Sequence, residues 1–146
     1  MPEKRERTPD DVRAVDDEIR RHTADLVAAY NSANLDYALS YFAPDVIYMP
    51  PDRPAMHGLE ELRKHFSYVF AADIKLVMLT RTAFASSGEV AMQRGDYHRR
   101  IPQGTHHTSE QRGSYEATWR LQSDGEYRVT SLIFGRGTMV SNGRQR

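Results

Sequence analysis

Ile74-Lys75-Leu76-Val77-Met78-Leu79-Thr80-Arg81-Thr82-Ala83-Phe84-Ala85 is followed, after Ser86-Ser87-Gly88, by Glu89-Val90-Ala91-Met92-Gln93-Arg94-Gly95-Asp96-Tyr97-His98-Arg99-Arg100-Ile101. Here the sequence changes its period. Before Ile74 apolar residues recur every three or four positions; after it they follow a step of two, the repeat of a strand whose side chains alternate between faces. Two long strands, Ile74 to Ala85 and Glu89 to Ile101, are expected, joined by a hairpin turn at Ser86-Ser87-Gly88. Pro102 to Ser109 reads as a polar loop. Ser114 to Gln122 and Glu126 to Phe134 form a second hairpin with Asp124-Gly125 as its turn, and the chain frays through Asn142-Gly143-Arg144-Gln145-Arg146.

Upstream of this block the signals are helical. Thr8 offers a capping hydroxyl, Pro9 suits a first helical turn, and Asp10 and Asp11 place negative charge at the helix's positive end. Val12, Val15, Ile19, Leu26, Val27 and Tyr30 then describe one buried stripe. A short second helix carries Leu35, Ala38, Leu39 and Phe42 inward and stops at Pro44. Val46 to Met49 is a brief strand cut off by Pro50-Pro51. Leu59, Leu62, Phe66, Val69 and Phe70 mark a third helix, with Glu60 and Glu61 near its start. Helices first and antiparallel strands after is an α+β order, so one helical layer covers one face of the sheet.

The chain has 146 residues, a common size for one domain, and residues 1–146 are read as a single domain with an ordered core of about 8–137. It lacks cysteine, which removes disulfides, thiolate nucleophiles and cysteine metal sites, and fits a cytoplasmic protein. Twenty basic and twenty acidic residues cancel. No overall field gathers nucleic acid or anionic lipid, and neither is an expected partner. No stretch of about 20 apolar residues offers a membrane span, and nothing apolar behind Met1 to Arg7 serves as a signal peptide.

Tyr41-Phe42-Ala43-Pro44-Asp45-Val46-Ile47-Tyr48-Met49-Pro50-Pro51, then Gly58 and Leu59-Glu60-Glu61-Leu62, resembles the opening of SnoaL-like proteins of the nuclear transport factor 2-like superfamily. Gly113-Ser114-Tyr115, Trp119 and Asp124-Gly125-Glu126-Tyr127 resemble the final hairpin of that group. The likeness runs from about Asp10 to Phe134. It implies a curved antiparallel sheet, a cone or half-barrel, covered by three N-terminal helices around a pocket for a small hydrophobic molecule. It also implies frequent homodimers, and activities ranging over ketosteroid isomerases, polyketide cyclases, dehydratases and epoxide hydrolases to non-catalytic assembly or transport domains. Fold alone does not choose among these. Tyr48 and Arg94-Gly95-Asp96 look like a tyrosine and an Arg-x-Asp pair of limonene epoxide hydrolases. Pro50 replaces the asparagine of that family, and Leu132-Ile133-Phe134 lacks its second aspartate. The general base of ketosteroid isomerases would fall near Pro50 and their helix tyrosine near Leu26, so both roles are empty.

Read for their own chemistry, Met92, Arg94, Asp96, His98 and Arg100 share one face of a strand, about 7 Å between alternate positions. Turned toward the helices, this row places Asp96 as a base, Arg94 as its orienting cation, and Tyr48 or His98 as donor to developing negative charge. Met92 would then help to bind substrate. The opposite parity turns the row to solvent or to a partner subunit and makes Arg94 and Asp96 an ordinary ion pair. Tyr115, Ala117, Trp119 and Leu121 form an apolar row toward the core or cavity, so Tyr115 and Trp119, with Phe66 from the third helix, are candidate substrate contacts. His57 and His65 are placed at a pocket mouth or an edge of the core. His106-His107 and Glu110 lack ligand spacing, so no metal is expected. No phosphate loop, nucleophile triad or cofactor fingerprint occurs, and no cofactor is expected.

Two functions follow. One is a cofactor-independent acid–base enzyme of isomerase, cyclase, dehydratase or epoxide-hydrolase type, acting on a small hydrophobic molecule in a conical pocket. The other is a non-catalytic small-ligand-binding or homo-oligomerisation domain.

Overall fold

The computed structural model describes residues 9–85 and 89–143. The expected tail 1–7, the Thr8 cap, the turn Ser86-Ser87-Gly88 and residues 144–146 of the expected frayed end lie outside the described residues. Helix α1 (Pro9–Asn31), a short α2 (Leu35–Leu39) and α3 (Gly58–Ala71) precede the main sheet in sequence, with strands β1 (Phe42–Met49) and β2 (Met56–His57) between α2 and α3. Then come β3 (Lys75–Ala85), β4 (Val90–Gln103), β5 (His107–Leu121), β6 (Tyr127–Phe134) and β7 (Thr138–Gly143). The expected α+β class and helical cover are found.

The helices form where the apolar stripe said they would. Val15, Ile19, Leu26 and Tyr30 of α1 and Leu62, Phe66 and Val69 of α3 are buried. Each large side chain taken from water in this way contributes roughly 1.5–3 kcal/mol. Asn34 caps α2 by accepting from the Tyr37 amide at 3.4 Å, which frees the chain to turn between the first two helices.

Neighbours in the sheet run β2-β1-β6-β5-β4-β3, with β7 added to β5. The second helix stops at Leu39, so Phe42 and Pro44 stand in β1 and not in the expected helix; three further details differ from the sequence reading. First, β1 lies parallel to β6, Phe42 opposite Val129 and Tyr48 opposite Leu132, so the sheet is mixed at that one pairing. A strand that enters between two helices reaches the sheet from the helical side, and the direction of its partner is not written in its own residues. Second, the polar loop is mostly strand: β4 runs on to Gln103 and β5 starts at His107, with a turn at Gly104, whose φ is +75°. Third, the C-terminal stretch pairs as β7 with the first half of β5, Arg112 opposite Thr138. Its polar composition hid it, because a strand on a sheet edge needs no alternating pattern.

The inner face of the sheet meets α1 and α3. On β4 it is formed by Ala91, Gln93, Gly95, Tyr97 and Arg99, all buried. Gly95 is required there: a Cβ at that position would run into the Leu79 carbonyl and the Tyr115 ring. The middle of the fold is closed by a buried polar network. Trp119 Nε1 donates to Gln93 Oε1 at 2.9 Å, and Gln93 Nε2 reaches Thr23 Oγ1 and Thr80 Oγ1, each at 2.8 Å. Gln93 is 1% exposed and still fully bonded, so α1, β3, β4 and β5 are tied at one point.

Candidate functional site

The parity of β4 decides the site. Arg94, Asp96 and His98 point away from the helices, on the outer face, and Met92 lies in the same row. Arg94 Nε pairs with Glu116 at 2.7 Å, Asp96 with Arg81 Nε at 2.6 Å, and His98 Nε2 with Glu110 at 2.9 Å. Met92 Sδ receives Thr118 Oγ1 at 3.6 Å. The expectation that this row looks toward the helical lid is therefore corrected. The physical reason is visible in the residues: four polar side chains in a row of five belong in water, whereas Ala91, Gly95 and Tyr97 fit a packed interior. Asp96 and Arg94 have no line to a ligand held inside the fold.

The other candidates divide. Tyr48 is buried on the inner face. Phe66, Tyr115 and Trp119 are buried core residues, whereas Leu121 of the same apolar row is 39% exposed. His57 is exposed at the start of α3, its amide donating to Glu61 Oε1 at 3.1 Å. His106 and His107 are exposed at the β4–β5 turn. Among the described residues one trio of possible metal ligands gathers elsewhere, Glu18, His22 and Glu126, with donor atoms within 4.8 Å of one another. His22 there meets Glu18 at 3.2 Å and stacks on Trp119.

Inside the fold, one cavity is lined by Tyr30 of α1, Tyr48 of β1, Pro50 and Pro51 after it, His65 of α3, Leu76 of β3, Arg99 of β4 and Phe134 of β6. Five elements of secondary structure beside β1 and its turn thus converge. The centre of a water-sized sphere can occupy about 10 Å³ of it, room for about one water. Three polar types share this lining. Burial, helped by the Arg99 and Arg53 cations, lowers the His65 imidazole from 6.5 to about 4, so it is neutral at pH 7. Burial also raises the Tyr48 phenol well above its ordinary value, with Arg99 pulling the other way, and raises Tyr30 likewise. Both phenols keep their protons and can donate. The rings of Tyr48 and His65 lie 5.5 Å apart.

Arg99 is the least expected member. Its side chain is 9% exposed. Nη1 donates to Gln111 Oε1 at 2.9 Å, and Gln111 in turn donates to the Arg136 carbonyl at 3.0 Å. Its nearest carboxylate oxygen, Asp52 Oδ1, is 3.6 Å from Nη1, on a side chain 49% exposed. Sequence reading missed Arg99 and Gln93 as interior groups, and placed Tyr30 in the buried stripe of α1 without marking it as a site residue. The signal was present: Gln93 and Arg99 fall on the parity of Ala91, Gly95 and Tyr97. Larger open spaces lie on the other side. One groove of about 530 Å³ runs past Val77, Leu79, Asp96 and His98, and another of about 450 Å³ past Arg81, Arg94, Glu116 and Ile133.

Residues 23–131 match the family model of the SnoaL-like domain. The chain belongs to the SnoaL-like family. No curated protein is significantly similar in sequence. Among solved structures, a protein of Novosphingobium aromaticivorans described as a candidate aromatic ring hydroxylase matches with a TM-score of 0.75 at 17% identity, covering 94% of this chain and 96% of that one. A Xanthomonas campestris protein described as a candidate calcium/calmodulin dependent protein kinase II association domain matches at 0.72 and 19%, covering 92% and 96%. A ketosteroid isomerase-like protein of Erwinia carotovora atroseptica matches at 0.66 and 18%, covering 80% and 92%. At such identities the likeness establishes the fold, and the activities of other SnoaL-like domains do not transfer with it. No helix of the described residues is long and apolar enough to cross a membrane.

Proposed function

We propose that this SnoaL-like domain is a cofactor-free acid–base enzyme acting on a small, largely apolar carbonyl compound held in the interior cavity. The observation that carries the reading is the lining itself: a neutral imidazole, two protonated phenols and a buried guanidinium face one space. His65 accepts a proton from carbon beside the carbonyl. The C–H electron pair moves toward the carbonyl oxygen, the Tyr48 hydroxyl donates to the oxygen as it becomes negative, and Arg99 supplies a positive field. Return of the proton from His65 to another carbon completes an isomerisation, and attack of the enolate on a second carbonyl carbon, whose oxygen then takes the proton from His65, gives a cyclisation. Asp96, outside, takes no part in this scheme.

The test is hydrogen exchange into a panel of small ketones in deuterium oxide, followed by proton NMR. Exchange should fall by about 10²- to 10⁴-fold in His65→Gln and persist in Asp96→Asn. Exchange that survives His65→Gln, or disappears in Asp96→Asn, sinks the proposal.

A second reading, pairing of two copies through the outer sheet face, is favoured by the exposed Val77, Leu79 and Ile133 beside alternating charges. Acidic and basic side chains interleaved on one face can complement their own copy about a twofold axis. Sedimentation velocity would then show a dimer that Leu79→Lys dissociates. A monomer at all concentrations removes this reading and leaves the enzyme reading untouched.

A further inference from the structure

The cavity holds a charge that is only loosely paired. A guanidinium buried to this degree normally meets a carboxylate in a forked pair. Arg99 instead has one short bond, to the neutral amide of Gln111, and a carboxylate beyond hydrogen-bonding distance. Apart from the His65 imidazole, the remaining walls are aromatic or aliphatic: Tyr30, Tyr48, Leu76, Phe134 and the two prolines. Such walls suit an apolar body, and the loosely paired cation suits an anionic end.

Asp52 adds a second, separate observation. It belongs to the segment between Pro51 and Met56 that leads from β1 to β2, and it directs a carboxylate oxygen at Arg99 from the solvent side. Its neighbour Arg53 covers the Tyr68 ring at 4.7 Å. The same segment follows Pro50 and Pro51, which wall the cavity. A short stretch of chain therefore brings both an apolar wall and a loosely held carboxylate to one spot.

Resting on the interior-ligand reading above, we propose that the substrate is a small organic monocarboxylate, anchored by Arg99, and that the Asp52 carboxylate is a built-in place-holder which the substrate displaces as the 50–55 segment opens. The room for about one water then describes the closed state of the site. Anchoring leaves the Tyr48 and Tyr30 hydroxyls for the reacting carbonyl, so the substrate class narrows to keto acids and related compounds. Arg99 is an anchor here and Asp52 a positioning residue for the closed state.

The experiment is calorimetric titration of the intact protein with pairs that share a carbon skeleton and differ in a charged against a neutral polar end, phenylacetate against 2-phenylethanol and hexanoate against 1-hexanol. Wild type should bind the acids more tightly than the alcohols by about tenfold or more, as expected where a charged partner fills a charged site. Asp52→Asn should tighten the acids by up to about fivefold, the worth of a half-exposed ion pair, and Arg99→Met should abolish the preference. Alcohols that bind as well as the acids, or a preference that persists in folded Arg99→Met, overturn the carboxylate assignment and leave an interior ligand site standing. Binding of neither acids nor alcohols overturns both. Should Arg99→Met not fold, Asp52→Asn decides by itself, since its side chain is half-exposed: unchanged or weaker acid binding refutes the place-holder and the anchor together.

Discussion

Asn31 serves Leu76 as a neighbouring strand would: its Nδ2 donates to the Leu76 carbonyl at 2.7 Å, and its Oδ1 accepts from the Leu76 amide at 2.8 Å. Lys75 Nζ adds a bond to the Asn31 carbonyl at 2.8 Å. The end of α1 is thereby fastened to the edge strand β3, and Leu76 is held where it walls the cavity. Asn31→Asp keeps the shape but loses the donor and sets a carboxylate against a carbonyl. Chemical denaturation should show a loss of about 2 kcal/mol. Asn31→Ala should cost a similar amount, and stability unchanged in both variants would mean that the edge of β3 does not need the amide.

Gln93 has no substitute of equal shape that can answer all of its partners. In Gln93→Met the Trp119 indole N–H loses its acceptor inside the core, and Thr23 and Thr80 lose a shared donor. The expected cost is about 2–3 kcal/mol, seen in a thermal scan as a fall on the order of 10 °C for a domain of this size. A red- or blue-shift of the lone tryptophan's emission should accompany it.

His65 gives the fold an acid limb. Its folded value of about 4 lies below the ordinary 6.5, so between those two values the unfolded chain binds the proton more readily than the folded one. Stability contributed by neutral His65 is complete above about pH 6.5 and is lost as pH falls toward 4. The loss is on the order of 1–3 kcal/mol. Denaturation curves of wild type and His65→Gln should diverge at pH 7 and converge near pH 4. Parallel pH profiles would show that the imidazole is not buried against charge.

The outer pairs are expected to be weak. Arg81 and Asp96 are 72% and 41% exposed, Arg94 and Glu116 65% and 54%. Asp96→Asn and Arg94→Gln should each change the stability of the monomer by less than about 1 kcal/mol, and 0.5 M salt should reduce that difference further. A loss of several kcal/mol in dilute protein would place these residues in a tighter setting than an open sheet face.

How much of this was readable in the residues depends on which physical signal each feature leaves. Helical stripes such as Val15, Ile19 and Leu26 are written several times over, so the helices and their buried faces were legible. The two hairpins were equally plain. Tyr48 was legible as a buried tyrosine because a Pro-Pro stop fixes the end of its strand. The parity of β4 was different: both rows carry polar groups, and the row with Arg94, Asp96 and His98 has more chemistry but less reason to be buried. Gln93 and Arg99 satisfy themselves through partners on other strands, Trp119 and Gln111, which no local pattern announces. The cavity residues Tyr30, His65 and Arg99 lie far apart in the chain, and only the closure of the sheet brings them together.

The parallel pairing of β1 with β6 carries a consequence for synthesis. Phe42 has its ladder neighbour at Val129 and Met49 at Ile133, so the first strand to leave the ribosome waits for almost the last. Until then the oily faces of three helices have only part of their cover, and contacts so distant in sequence form slowly. A nascent chain halted before Phe134 should be held by chaperones or degraded, and the earliest point at which it resists a protease should lie after the whole of β6 has cleared the exit tunnel.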